Sequence, residues 1–67
     1  MIRVCLERTL AQAGITRYEL AKKAGISYPI IDKYYKNKVT RYDRNVLTRI
    51  CHVLHCDISG VLEWVDE

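Results

Sequence analysis

In the stretch AGISYPII, residues 24–31, one helical apolar pattern stops and another starts at once, with a glycine and a proline at the join. Few chain paths satisfy both. Leu20, Ala21 and Ala24 keep helical spacing upstream, and Ile30, Ile31 and Tyr34 resume it downstream. Gly25 can take φ > 0 at no steric cost, so it ends the first helix and turns the chain sharply. Ile26 is expected to plug the gap between the two helices, and Ser27 is suited to cap the second. Pro29 then falls in a first turn, where a missing amide proton has no intrahelical partner to lose. It starts a helix rather than breaking one.

Just upstream, Thr16-Arg17-Tyr18-Glu19 has the form of a capping box, with Ile15 and Leu20 at the two positions of a hydrophobic staple. The spacing therefore predicts helices over residues 17–24 and 28–36. No run alternates with period two for long enough to mark a strand, whereas the helical period recurs throughout. An initial helix over 2–13 carries Ile2, Cys5, Leu6, Thr9, Leu10 and Ala13 on one stripe and ends at Gly14. Asp43 is the expected cap of a helix over 44–54, with Leu47, Ile50, Cys51 and Leu54 inward. Asp57 is the expected cap of a last helix over 58–64, with Ile58, Val61, Leu62 and Val65 on its apolar face. The expectation is an all-α, five-helix single domain spanning residues 1–67.

A chain of 67 residues buries only about 60% of its unfolded surface, which leaves no room for a deep catalytic cleft. Enzyme activity is not expected, nor is a cofactor or small-molecule ligand. The net charge of +3 is unevenly spread. Residues 16–50 hold nine Lys or Arg against Glu19, Asp32 and Asp43, whereas residues 51–67 hold Asp57, Glu63, Asp66 and Glu67 and no Lys or Arg. A basic centre with an acidic tail suits a polyanion docked on one face. Arg3, Glu7 and Arg8 interrupt the N-terminal stretch, so neither a signal-peptide core nor a membrane span is expected. The odd number of cysteines, Cys5, Cys51 and Cys56, favours reduced thiols and a cytoplasmic setting.

The segment TRYELAKKAGISYPIIDKYYKNK resembles the Cro/cI-type (xenobiotic-response-element) helix-turn-helix of phage repressors and their bacterial relatives. VLTRICHVLHCDISGVLEWV resembles the last two helices of that family's minimal members, so the likeness covers nearly the whole chain. Leu20, Ala21, Gly25, Ile26, Ile31 and Tyr34 stand at the family's structural positions. A small residue at Ala21 lets the second and third helices cross closely. The resemblance implies a lambda-repressor-like fold and a bacterial or phage transcriptional regulator. It would place its third helix in the major groove of double-stranded DNA.

On a helical wheel Ile30, Ile31 and Tyr34 turn to the core, and Tyr28, Pro29, Asp32, Lys33 and Lys36 turn outward. Carried over by position, those five are the candidate base-contact residues. Lys33 and Lys36 can donate to guanine O6 and N7, and Pro29 or the Tyr28 ring can touch a thymine methyl. Asp32 is a departure, because phosphates repel a carboxylate in that place. It either accepts from cytosine N4 or is masked by Lys36 one turn later. Candidate phosphate contacts are Arg17 and Ser27 at the two helix starts, Asn37, Lys38 and Arg41 in the basic loop, and Arg44 at the next helix start.

Two further features compete for attention. CHVLHC, residues 51–56, suggests a metal site, but its Cys51/His55 and His52/Cys56 pairs lie about 100° apart on a helix and do not converge on one ion. Metal binding is not expected. Leu62, Trp64 and Val65 are more apolar surface than so small a domain readily covers. Packing into the core is the commoner explanation for them; the rival is a homodimer interface, which a palindromic operator would require. The alternative from another class is a protein-interaction module of antitoxin or anti-repressor type that keeps the fold without reading DNA.

Overall fold

The computed structural model describes residues 1–66. Its elements in chain order are β1 (Ile2–Val4), α1 (Leu6–Ala13), α2 (Arg17–Ala24), α3 (Tyr28–Tyr35) and α4 (Arg44–Leu54). A single 3-10 turn (Ile58–Gly60) and β2 (Leu62–Trp64) complete it. Four α-helices thus lie among the described residues, and the fold is mostly helical rather than all-α.

Local chemistry sets α2 and α3. The Thr16 hydroxyl accepts from the Glu19 amide at 3.1 Å, and the Thr16 amide donates to the Glu19 carboxylate at 3.2 Å. Both halves of the capping box are present, satisfying helix-start donors that would otherwise be orphaned. At the other end Gly25 sits at φ +67°, and the Ile26 amide donates back to the Ala21 carbonyl at 3.0 Å. A side chain in that left-handed region would be strained. Pro29 lies in the first turn of α3. Ser27 occupies the N-cap position without a side-chain capping bond, so its hydroxyl is left out of the helix start. Asp43 caps α4 as expected, its carboxylate accepting from the amides of Asn45 and Val46 at 2.8 and 3.1 Å.

The core gathers Leu6 and Leu10 from α1, Leu20 and Ala21 from α2, Ile26 from the turn, and Ile31 and Tyr34 from α3. Ile50, Val61 and Val4 close it. Ala21 is buried in the α2–α3 unit, whose tight crossing its small side chain permits. Of the inward stripe expected on α4, Ile50 alone is fully enclosed; Leu47, Cys51 and Leu54 are half-buried and pack against the core from its edge. The buried Tyr34 ring reaches across the loop, and its hydroxyl accepts from the Asp43 amide at 3.0 Å. That bond ties the end of α3 to the start of α4.

Both ends of the chain depart from the helical expectation. Ile2–Val4 is a strand, not the first turns of a helix, and α1 begins only at Leu6. It pairs antiparallel with Leu62–Trp64 in the register Ile2 with Trp64, Arg3 with Glu63 and Val4 with Leu62. Asp57 does cap the turn after α4, accepting from the Ser59 amide at 2.9 Å, but that helix stops at Gly60. A Cβ at Gly60 would lie 2.7 Å from Cys56 Sγ, so this close approach admits only glycine without rearrangement. Three-residue strands are too short to show a period-two pattern, and their hydrogen bonds join positions some sixty residues apart.

Candidate nucleic-acid interface

The outward face of α3 is exposed to solvent over most of its length. Tyr28, Pro29, Lys33 and Lys36 are exposed, and Asp32 is half-buried between neighbouring side chains. One position departs from the helical wheel: Ile30, expected inward, is 41% exposed, while Ile31 and Tyr34 are buried. At about 100° per residue Ile30 lies roughly 70° from the direction shared by Ile31 and Tyr34, at the edge of the packed face. Tyr35 occupies the opposite edge and is half-buried. The first turn of α3 therefore presents Tyr28, Pro29 and Ile30 together.

Asp32 is the hub of a clasp. Lys36 Nζ lies 3.0 Å from one carboxylate oxygen, and Arg17 Nη1 donates to the other at 2.6 Å. The Arg17 guanidinium also stacks over Tyr35, with its central carbon 4.2 Å from the ring centroid. The Lys36 hydrogen bond, joined by the attraction of Lys36 and Arg17, holds the Asp32 carboxyl below the usual carboxylate range. The masking by Lys36 that the sequence suggested is present. The reach of Arg17 from α2 was not legible, because fifteen residues and a turn separate the two side chains. Within the clasp one negative charge meets two positive ones, so the surface stays net cationic.

The candidate phosphate contacts fall into two groups. Ser27, Lys38, Arg41 and Arg44 are exposed and lie around the ends of α3 and the start of α4. Arg17 and Asn37 also serve the fold. Arg17 is engaged with Asp32 and Tyr35, and Asn37 accepts from the Val4 amide at 3.1 Å through its side-chain oxygen, in a left-handed conformation at φ 59°. Asn37 thus anchors β1 to the end of α3.

Beyond the C-terminal end of α3, Arg3 and Arg8 both approach Glu63, at 2.9 and 3.5 Å. Arg3 first, and Arg8 with it, keep the Glu63 carboxyl below its ordinary range. Those two arginines border a surface depression of about 630 Å³ that also meets Lys36 and Lys38. Glu63 and Glu7, which also lines the depression, together balance Arg3 and Arg8, whereas Lys36 and Lys38 border its α3 side.

The residues expected at a dimer interface are found on the ribbon, not on a helix. Trp64 is 71% exposed and Ile2, directly opposite it, is 49% exposed, while Leu62 and Val65 are half-buried. Side chains two apart in a strand share a face, so Ile2 and Trp64 extend the face on which Val4 and Leu62 meet the core. The ribbon overhangs the core, and its apolar end is uncovered. In CHVLHC, Cys51 and Cys56 are half-buried and His52 and His55 are exposed. The described residues contain no group of three or more His, Cys, Asp or Glu side chains placed to hold a metal ion. Burial first, and then the nearby Cys56, raise the Cys51 thiol above its ordinary range.

A capped α2, a glycine turn and an α3 with one free cationic face define a helix-turn-helix domain. The family model for the Cro/C1-type HTH DNA-binding domain matches residues 6–67, and the chain belongs to that family of DNA-binding domains. A crystal structure from Bacteroides fragilis, described as that of a candidate DNA-binding protein, has the same fold, with a TM-score of 0.80. The two share 22% sequence identity over 94% of this chain and 100% of the other. No curated protein matches the chain. No helix among the described residues is long and apolar enough to cross a membrane.

Proposed function

We propose that this domain is a sequence-specific transcriptional regulator that inserts α3 into the major groove of double-stranded DNA. The observation that carries the reading is the free outward face of α3, where Lys33 and Lys36 stand among side chains that make no contribution to the core. Lys33 and Lys36 would donate to purine edges, and Tyr28 and Pro29 would contact the bases nearest the helix start. Asp32 acts first as the clasp for Arg17 and Lys36, with any contact to cytosine N4 secondary. Ser27, Lys38, Arg41 and Arg44 would grip phosphates beside the groove. Arg17 would join them through the N–H groups not given to Asp32, and Asn37 through its amide nitrogen. The setting is the cytoplasm of a bacterium, or a phage infecting one.

The same reading makes the protein a homodimer on a palindromic operator, with a second copy covering the overhanging Ile2 and Trp64, and reaching the half-buried Leu62 beside them and Val65 at the ribbon's end. Two-fold related recognition helices would then meet two half-sites one helical turn apart. The test is a fluorescence-anisotropy titration of duplex DNA across a series of salt concentrations. Affinity is expected to fall linearly with log salt, with a slope near −0.9 per phosphate contacted. Binding that is absent, or indifferent to salt, would overturn the reading and favour a protein partner.

A further inference from the structure

The first turn of α3 carries a surface that general DNA binding does not account for. Tyr28 is 39% exposed and Ile30 41%, and Pro29 between them is exposed as well. Together they cover the leading end of the helix, and apart from the Tyr28 hydroxyl their side chains have no hydrogen-bonding group. Pro29 also lacks a backbone donor. The major groove presents donors, acceptors and a single apolar group, the C5-methyl of thymine. A polar base edge pressed against Pro29 or Ile30 would lose its water without a replacement bond. A methyl group in the same place would lose nothing and gain burial.

We infer that Tyr28, Pro29 and Ile30 form a methyl-reading surface that selects thymine at the base pairs under the first turn of α3. The inference rests on the major-groove reading above and names what the leading end of the helix recognises. A second observation supports it. The Tyr28 ring lies 6.2 Å from that of Tyr18, centroid to centroid, at a tilt of 47°. Tyr18 is itself 69% exposed, so it contributes little to the core, and its position beside Tyr28 limits where that ring can swing. Tyr18 is a positioning residue for the reader. Charge selects the occupant: Lys22 lines one surface cleft with Tyr18 and Tyr28, and exposed Lys33 stands one turn beyond Pro29 on α3, a rim suited to a polyanion whose groove floor carries methyl groups.

The experiment uses the full chain and changes the DNA rather than the protein. A preferred duplex is selected from a random pool, and each thymine is then replaced singly by deoxyuridine, which removes the C5-methyl alone. At one or two positions per half-site, affinity is expected to drop about three- to fivefold, the size expected for burying one methyl. Replacing cytosine by 5-methylcytosine at those positions of a C·G variant should recover part of the loss. Ile30→Ala and Tyr18→Ala should each bring the thymine-to-uracil ratio toward one, while the salt slope, which the cations set, stays as in the wild type. Equal affinity for thymine and uracil at every position, with salt-dependent binding intact, would overturn the inference and leave the DNA reading standing. A selection that yields no preferred duplex would overturn it as well. Failure to bind any duplex would overturn both.

Discussion

Between Thr16 and Tyr35 the chain closes its own hydrogen bonds: the Thr16–Glu19 box, the Ile26-to-Ala21 return and the Ile31-to-Ser27 bond that opens α3 each span five residues or fewer. The β1–β2 ribbon is the reverse case, since each of its pairs joins residues about sixty positions apart. Both regions feed one core, with Leu20 and Ile31 from the first and Val4 and the half-buried Leu62 from the second. The difference lies in what faces solvent. The helical unit exposes cations and a short apolar turn on α3, whereas the ribbon exposes Ile2 and Trp64 past the edge of the core. One region is organised for a polyanion and the other for an apolar partner.

The sharpest test of that contrast sets a buried position against an overhanging one. Leu20 has no exposed surface, so Leu20→Ala should destabilise by about 2–5 kcal/mol in chemical denaturation, much of the stability of so small a domain. Trp64→Ser should change monomer stability by no more than about 0.5 kcal/mol, since most of the side chain is already in water. It should instead abolish the dimer in sedimentation. A large stability loss from Trp64→Ser would mean that the ribbon end is packed, and the comparison between the regions would fail.

A smaller effect is expected at the clasp. Asp32→Asn releases Arg17 and Lys36, so non-specific duplex affinity should rise and the salt slope should steepen by about one unit. The pH dependence has a definite sign. Because the folded carboxyl titrates below its ordinary value of 3.8, the unfolded chain takes up a proton that the folded one refuses as pH drops past that value. The stabilisation is therefore present at neutral pH and is lost as pH falls below 3.8 and through the folded value. Asp32→Asn lacks this contribution, so its melting temperature should fall less steeply than the wild type's below that pH. Identical acid limbs would show that the clasp contributes nothing to the folded state.

How much of this could be read from the chain follows the same division by range. Gly25, the Thr16–Glu19 box, Pro29 and Asp43 act on their immediate neighbours, and each stands where the sequence placed it. The first and last elements read as helix because Ile2, Cys5 and Leu6 at one end, and Ile58, Val61, Leu62 and Val65 at the other, keep helical spacing. Only pairing across the whole chain reveals the strands. At the candidate interface the outward residues of α3 were legible from the wheel, but Ile30 was not, because a position at the edge of a face depends on what neighbouring elements cover. Arg17 on Asp32, Tyr18 against Tyr28 and Ile2 opposite Trp64 are tertiary contacts with no local signal.

The most direct measurement follows backbone amides of the full chain by two-dimensional NMR while an unlabelled selected duplex is added. The account predicts that shift changes concentrate at the start of α2, from Ser27 through Lys38, and around Arg41 and Arg44. The amides of Arg3, Glu7, Arg8 and Glu63, on the wall of the Arg3–Glu63 depression away from α3, should show no saturable change, beyond any that follow from dimer assembly on the ribbon. A saturable response confined to Arg3, Glu7, Arg8 and Glu63, with the amides of Tyr28 to Lys38 unmoved, would contradict the assignment of α3 as the element that meets the groove.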